Sequence, residues 1–292
     1  AKAQPAIAAY NKVMDEGADA ILGAVTSDSM LAITKLTSED EILQITPSAS
    51  VLDAIKYDNA FRVCFTDPLQ GVTMADYAVD TLGYKKLAVL YNVADTYSQG
   101  VADAFIEEAE KKGATIVAKE SFITEDVDFN TQLTTIKGSE ADALFLPVYY
   151  QDVAYIINQA KTQGITLPLL GSDGWDGVLE QLEDPTLANG AIFLSSFASS
   201  DPAKNVQSFL ENYEKKYDAV PDQFAADGYD GVYIMKAAIE KADSTDSKDL
   251  IKAMTEIEVD GVTGKMTFTP EGEPNKDAKL IEVVNGEYQL KQ

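Results

Sequence analysis

Short apolar runs alternate with amphipathic stretches of helical period through residue 194 of this 292-residue chain. Residues 3–16 place Ile7, Tyr10, Val13 and Met14 at helical spacing and stop at Gly17, and 20–25 then reads as a short buried strand. Thr26 and Ser27 offer an N-cap for a helix to about residue 38, and the strand at 42–45 ends in the polar turn 46–50, Thr-Pro-Ser-Ala-Ser. Further strands are expected at 60–64, 87–91, 115–118, 143–147, 167–170 and 191–194, with helices at 68–82, 100–112, 130–137 and 151–163. Strands and helices alternating at these lengths imply parallel sheets covered on both faces, in an α/β chain large enough for two lobes. After residue 194 the rhythm changes to long helices at 203–217, 224–241 and 247–257, then to extended segments at 265–269 and 280–284. A late helical block that returns to an earlier sheet takes a chain between two lobes more than once.

Composition removes whole classes of chemistry. There is no His and one Cys, Cys64, so an internal disulfide, Cys/His metal clusters, Ser-His-Asp triads and Cys-His dyads are excluded. Cys64 lies in an apolar strand and reads as an inert buried thiol. Arg62 is the only arginine, so anions are not held by Arg clusters, and a net charge of −25 repels nucleic acid. No apolar run approaches the ~20 residues that cross a bilayer. No glycine-rich phosphate cradle follows any strand, which argues against a nucleotide cofactor.

In open parallel sheets the functional ground is the loop after each strand, where helix N-termini converge. Here those loops are 26–29, 48–50, 92–98 with Tyr97, 148–150, and 171–175 with Asp173 and Trp175. Taken alone, Ser27 is a helix cap, Asp173 an Asp-Gly turn residue, and each aromatic a core residue.

The residues in these loops, with Asp19-Ala20-Ile21-Leu22-Gly23, Thr46 to Ser50, Phe61-Arg62-Val63-Cys64, Thr66-Asp67-Pro68, Gly71, Asp128-Phe129-Asn130, Asn158-Gln159-Ala160, Gly164, Leu170 to Gly174 and Gly228-Tyr229-Asp230-Gly231, resemble the branched-chain amino-acid (Leu/Ile/Val) type of periplasmic substrate-binding protein, which serves ABC transporters. The likeness is collinear over the whole chain, and no single motif carries it. It implies a two-lobed type I fold, each lobe a mainly parallel sheet flanked by helices, joined by a multi-strand hinge. Lobe 1 would comprise 1–66 and 198–278, and lobe 2 would comprise 67–197 and 279–292. Family members begin with a strand-helix-strand unit of about 50 to 60 residues. This sequence opens inside the following helix, so the resemblance implies a truncated record or fragment.

The family binds an amino acid in a cleft between lobes that close around it. Carried over position by position, Ser27 and Ser50 supply hydroxyls to the α-carboxylate, and the backbone of Ala49 and Ser50 supplies an amide and a carbonyl. Asp173 takes the ammonium group, Tyr97 and Tyr149 line the side-chain pocket, Trp175 forms its floor or rim, and Phe224 faces the ligand. Asp227, one helical turn from Phe224, either supports a ligand-contacting residue from behind or makes a further polar contact. Asp176 reads as the cap of a following helix, and Arg62 and Asp67 as structural, a salt bridge or strand-end contact.

The implied function is capture of a small zwitterionic amino acid outside the cytoplasm and delivery to an ABC permease. The protein would be a monomer, either free in the periplasm or lipid-anchored, with no cofactor, metal or nucleic acid. Two other classes remain open. One is a sensory ectodomain on the same fold, and the other a hydrolase built on Asp173, Asp176 and Asp227.

Overall fold

A computed structural model describes residues 2–291, and the chain divides into two compact units. Unit 1 comprises residues 1–66 and 202–277, unit 2 residues 67–201 and 278–292, so the backbone passes from one to the other three times.

Unit 1 opens with α1 (Ala3–Asp15), β1 (Ala20–Leu22), α2 (Ser27–Glu39), β2 (Leu43–Thr46) and β3 (Ala60–Arg62). The strands form a parallel sheet in the order β1-β2-β3, with Ile45 opposite both Leu22 and Phe61. Every residue of β2 and β3 is buried, as expected of parallel strands covered on both faces. β1 is an edge strand, and among the described residues it pairs only with β2. A groove of 680 Å³ beside it is lined in part by Ala20, Leu22, Val232, Met235 and Ile239.

The late block supplies α7 (Lys204–Tyr217), α8 (Gln223–Ala242) and α9 (Ser247–Met254). Asp222 caps α8 by accepting a hydrogen bond from the Ala225 amide, and Ile234 and Ala238 carry its buried face onto Leu43, Ile45 and Phe61. The extended segment expected at 265–269 is instead a short antiparallel hairpin of β9 (Val259–Gly261) and β10 (Gly264–Met266). The third late helix stops at Met254, three residues before its expected end.

Unit 2 contains α3 (Asp67–Asp76), β4 (Lys86–Asn92), α4 (Thr96–Lys111), β5 (Thr115–Phe122), α5 (Asn130–Gly138), β6 (Ala143–Leu146), α6 (Tyr150–Thr162), β7 (Leu169–Gly171) and β8 (Ile192–Ser195), and the tail adds β11 (Lys279–Val284) and β12 (Glu287–Leu290). The expected helix at 68–82 is α3 followed by a π-helical turn over Tyr77–Thr81. The one expected to begin at residue 100 starts at Thr96, because the Asp95 carboxylate caps it through the Ser98 amide at 2.8 Å. Seven strands run β12-β11-β8-β7-β6-β4-β5. The five from β8 to β5 are parallel, whereas β11 returns antiparallel against β8 and pairs with β12 as a hairpin, which strand-helix alternation does not foretell. Outer strand β5 buries Ala118 and Phe122 and exposes Lys119, a charge that discourages further strand pairing.

Candidate functional site

In unit 1 the parallel sheet brings its carboxyl-end loops together, and Arg62 shapes one of them. Its guanidinium is fully buried and donates to the carbonyls of Ala49 at 3.0 Å, Val51 at 3.1 Å and Leu52 at 3.1 Å, while Nε lies 3.0 Å from the Glu273 carboxylate. Five donors in a rigid fork suit this task, and a point-charge ammonium does not. Thr46 Oγ1 donates to the Ala24 carbonyl and accepts from the Ala49 amide at 3.1 Å, so with Arg62 on its carbonyl both backbone polar groups of Ala49 are engaged. Ser27 is the first residue of α2, not its cap. Thr26 holds the cap position, and Ser27 Oγ accepts a long 3.4 Å bond from the Val51 amide. The hydroxyl of Ser50 is buried and has no hydrogen-bond partner. Phe224 is half-buried near the start of α8.

Asp227 is buried 3.9 Å from Lys276 Nζ, whose ammonium also donates to Thr263 Oγ1. Asp230 accepts from the Val262 and Thr263 amides and the Thr263 hydroxyl at 2.8, 2.9 and 2.5 Å. Burial lowers the Lys276 pKa, and the charges of Asp227 and Asp230 oppose that shift. Asp227 thus faces a buried cation within its own unit.

In unit 2 Tyr97, Tyr149 and Asp173 converge at the carboxyl ends of β4, β6 and β7. Tyr97 lies in the first turn of α4, and its hydroxyl donates to Asp173 Oδ1 at 2.6 Å, accepts from the Gly174 amide at 2.9 Å and sits 2.5 Å from Ser172 Oγ. Burial first, then the Asp173 charge, raise its pKa well above the usual phenol value, so Tyr97 remains a donor at neutral pH. A Cβ on Gly174 would sit 2.9 Å from that hydroxyl and 2.8 Å from the Val148 carbonyl, so the approach requires glycine. Tyr149, half-buried, is the N-cap residue of α6, and its ring centroid lies 4.9 Å from that of Tyr97.

The expectation for Trp175 needs correction, because its ring is drawn into the hydrophobic core of unit 2. Its Nε1 donates to the Leu146 carbonyl at 2.7 Å, and its ring stacks on Phe193. A Cβ at Gly171 would overlap the indole at 2.5 Å, so the bare backbone there admits the ring from behind. Asp176 caps no following helix; it is buried and accepts from Ser195 Oγ at 3.3 Å. Among the described residues no cluster of three or more His, Cys, Asp or Glu could hold a metal ion, and no helix is long and apolar enough to cross a membrane.

One residue that the loop-by-loop reading passes over is Gln70, whose Oε1 accepts the Asp173 amide at 2.9 Å. The signal for it lies in the periodicity of α3, where Asp67, Gln70, Gly71, Met74 and Ala75 form the buried stripe. A carboxamide on such a stripe needs a buried partner.

Comparison with known proteins bears on this geometry. The family model for periplasmic binding proteins matches residues 1–287. The chain belongs to the periplasmic binding protein family. A Leu/Ile/Val-binding protein homolog from Brucella melitensis biotype 1 is 28% identical over 272 residues, covering 91% of this chain and 73% of that protein. The leucine-binding protein LivK of Thermotoga maritima superposes with a TM-score of 0.92 at 28% identity, over 100% of this chain and 84% of that one. LivJ of Streptococcus pneumoniae, a branched-chain amino acid transporter substrate-binding protein solved in complex with isoleucine, gives 0.91 at 29% identity over 99% and 83%. As a periplasmic binding protein of type I fold, the chain is a substrate-binding protein of the transporter class and not an enzyme. The hydrolase reading of Asp173, Asp176 and Asp227 is therefore set aside.

Proposed function

We propose that this periplasmic binding protein captures a small zwitterionic amino acid outside the cytoplasm and presents it to the membrane permease of an ABC importer. The ligand carboxylate is taken by the hydroxyls of Ser27 and Ser50 and by the Ser50 backbone amide, and the ammonium by Asp173. Tyr97, Tyr149 and Phe224 line the side-chain pocket.

The observation that carries this reading is the Ser50 hydroxyl, buried without a partner on a loop whose carbonyls are turned toward Arg62. An unsatisfied buried hydroxyl costs about 1–3 kcal/mol, so it is retained where a ligand completes it. Hydroxyls and amides hold a carboxylate without arginine, which suits a chain whose only guanidinium is already engaged. Asp173, anchored by Tyr97, supplies the opposite charge.

Isothermal titration of the full chain against the twenty amino acids, with benzoate as a carboxylate lacking an ammonium, tests this directly. Binding of at least one aliphatic amino acid is expected, and failure of all twenty refutes the proposal. Asp173→Asn weakens that binding by about tenfold or more, the worth of one charged hydrogen bond. Ser50→Ala weakens it while leaving the thermal midpoint of the free protein unchanged or raised, since it removes an unsatisfied buried group.

A further inference from the structure

We propose that Gln70 is a positioning residue that sets Asp173 and thereby the preference for a ligand ammonium group, an inference that rests on the amino-acid-binding reading above. Gln70 is fully buried on α3, and its Oε1 accepts the Asp173 amide at 2.9 Å. That bond fixes the sense of the carboxamide, so the other end, Nε2, is a donor, and it has no hydrogen-bond partner. The fold therefore uses this side chain only as an acceptor, and keeps it there although burying an idle donor is unfavourable. A glutamate would accept the same bond but would place a second negative charge beside Asp173. Gln70 supplies the acceptor in neutral form.

Asp173 is consequently held at two points by two helices. Gln70 of α3 takes its backbone amide, and Tyr97 of α4 bonds its carboxylate at 2.6 Å. The two helices are pressed together at Gly71, the residue next to Gln70. A Cβ there would lie 2.6 Å from the Phe105 amide nitrogen and 2.6 Å from Ala104 Cβ, both on α4. The close approach sets the register of α3 against α4, so the acceptor for the amide and the donor to the carboxylate move as one clamp. A carboxylate aimed this way discriminates an ammonium from a hydroxyl, because selectivity depends on the placement of the charge as well as its presence.

The test compares an amino acid with its 2-hydroxy analogue. Leucine and 2-hydroxy-4-methylpentanoate share carboxylate and side chain and differ at the group that Asp173 contacts. In Gln70→Met, which keeps the volume and removes the acceptor, leucine affinity is expected to fall about tenfold and that of the hydroxy acid by less than about twofold. A purely structural role would lower both equally, and that result overturns the inference. Combining Gln70→Met with Asp173→Asn should add little to the loss from Asp173→Asn alone, and full additivity also overturns it. If Gln70→Met does not fold, Gln70→Leu takes its place, since it also removes the acceptor without adding charge, and it must lower the preference for leucine over the hydroxy acid by at least about fivefold; an unchanged preference refutes the assignment. Wild-type protein that binds none of the twenty amino acids defeats the underlying reading, whereas wild-type binding with an unchanged leucine-to-hydroxy-acid ratio in Gln70→Met defeats this inference alone.

Discussion

Arg62 shows how one side chain shapes a loop through the carbonyls it gathers. Three carbonyls point at its guanidinium, so the peptide units of 49–52 are oriented, and the Ser50 hydroxyl is left without a partner. Removing the fork strands those carbonyls together with Glu273, whose carboxyl is already pushed up by burial and only partly drawn down by Arg62. Arg62→Met should therefore destabilise the protein by about 3–5 kcal/mol, read as a lower urea midpoint. Arg62→Lys should fall between the two, because an ammonium reaches fewer carbonyls. A loss below about 1 kcal/mol for Arg62→Met would show that the loop is held by other contacts. That Arg62 is structural was implied by the family resemblance, but its partners were not legible in the chain, since residues 49–52 and 273 meet it only after folding.

At the scale of elements, a half-buried carboxylate and a buried ion pair make separable predictions. Asp152 lies in the first turn of α6, and burial, followed by the nearby Asp95 carboxylate that caps α4, raises its pKa to about 6. The folded state then holds this proton more tightly than the unfolded chain, so stability falls as pH rises from about 4 through 6, and the penalty is complete above that. Allowing for solvent screening of this partly exposed group, the loss is about 1 kcal/mol. Urea midpoints measured from pH 4 to 7 should decline less in Asp152→Asn than in wild type, and parallel curves would assign the slope to other groups.

Lys276 and Asp227 tie α8 to the segment that precedes the last passage into unit 2. Lys276→Met leaves Asp227 buried beside an apolar side chain and should cost about 3 kcal/mol, whereas adding Asp227→Asn should recover part of it. Chemical unfolding of the single and double variants measures the coupling, and simple additivity would show that the two do not interact. Helix α8 itself is legible from its apolar period, but the ion pair is not, because its partners are separated by a helix end, α9 and the β9-β10 hairpin.

Across the whole molecule, the two units have separate hydrophobic cores, one around Phe129, Leu144, Trp175 and Phe193, the other around Leu43, Ile45, Phe61 and Ile234. Alternating apolar strands and amphipathic helices are enough to require sheets covered on both faces, and the absence of His with a single Cys is enough to remove nucleophilic triads and Cys/His metal clusters. Those conclusions follow from residue order and composition because hydrophobic period and side-chain chemistry are local properties. Tertiary structure decided the antiparallel return of β11, the withdrawal of Trp175 into the core, the caged Asp227 and the hold of Gln70 on Asp173. Each depends on contacts between segments far apart in the chain, where burial and the need to satisfy every buried polar group select one partner among many that local pattern allows.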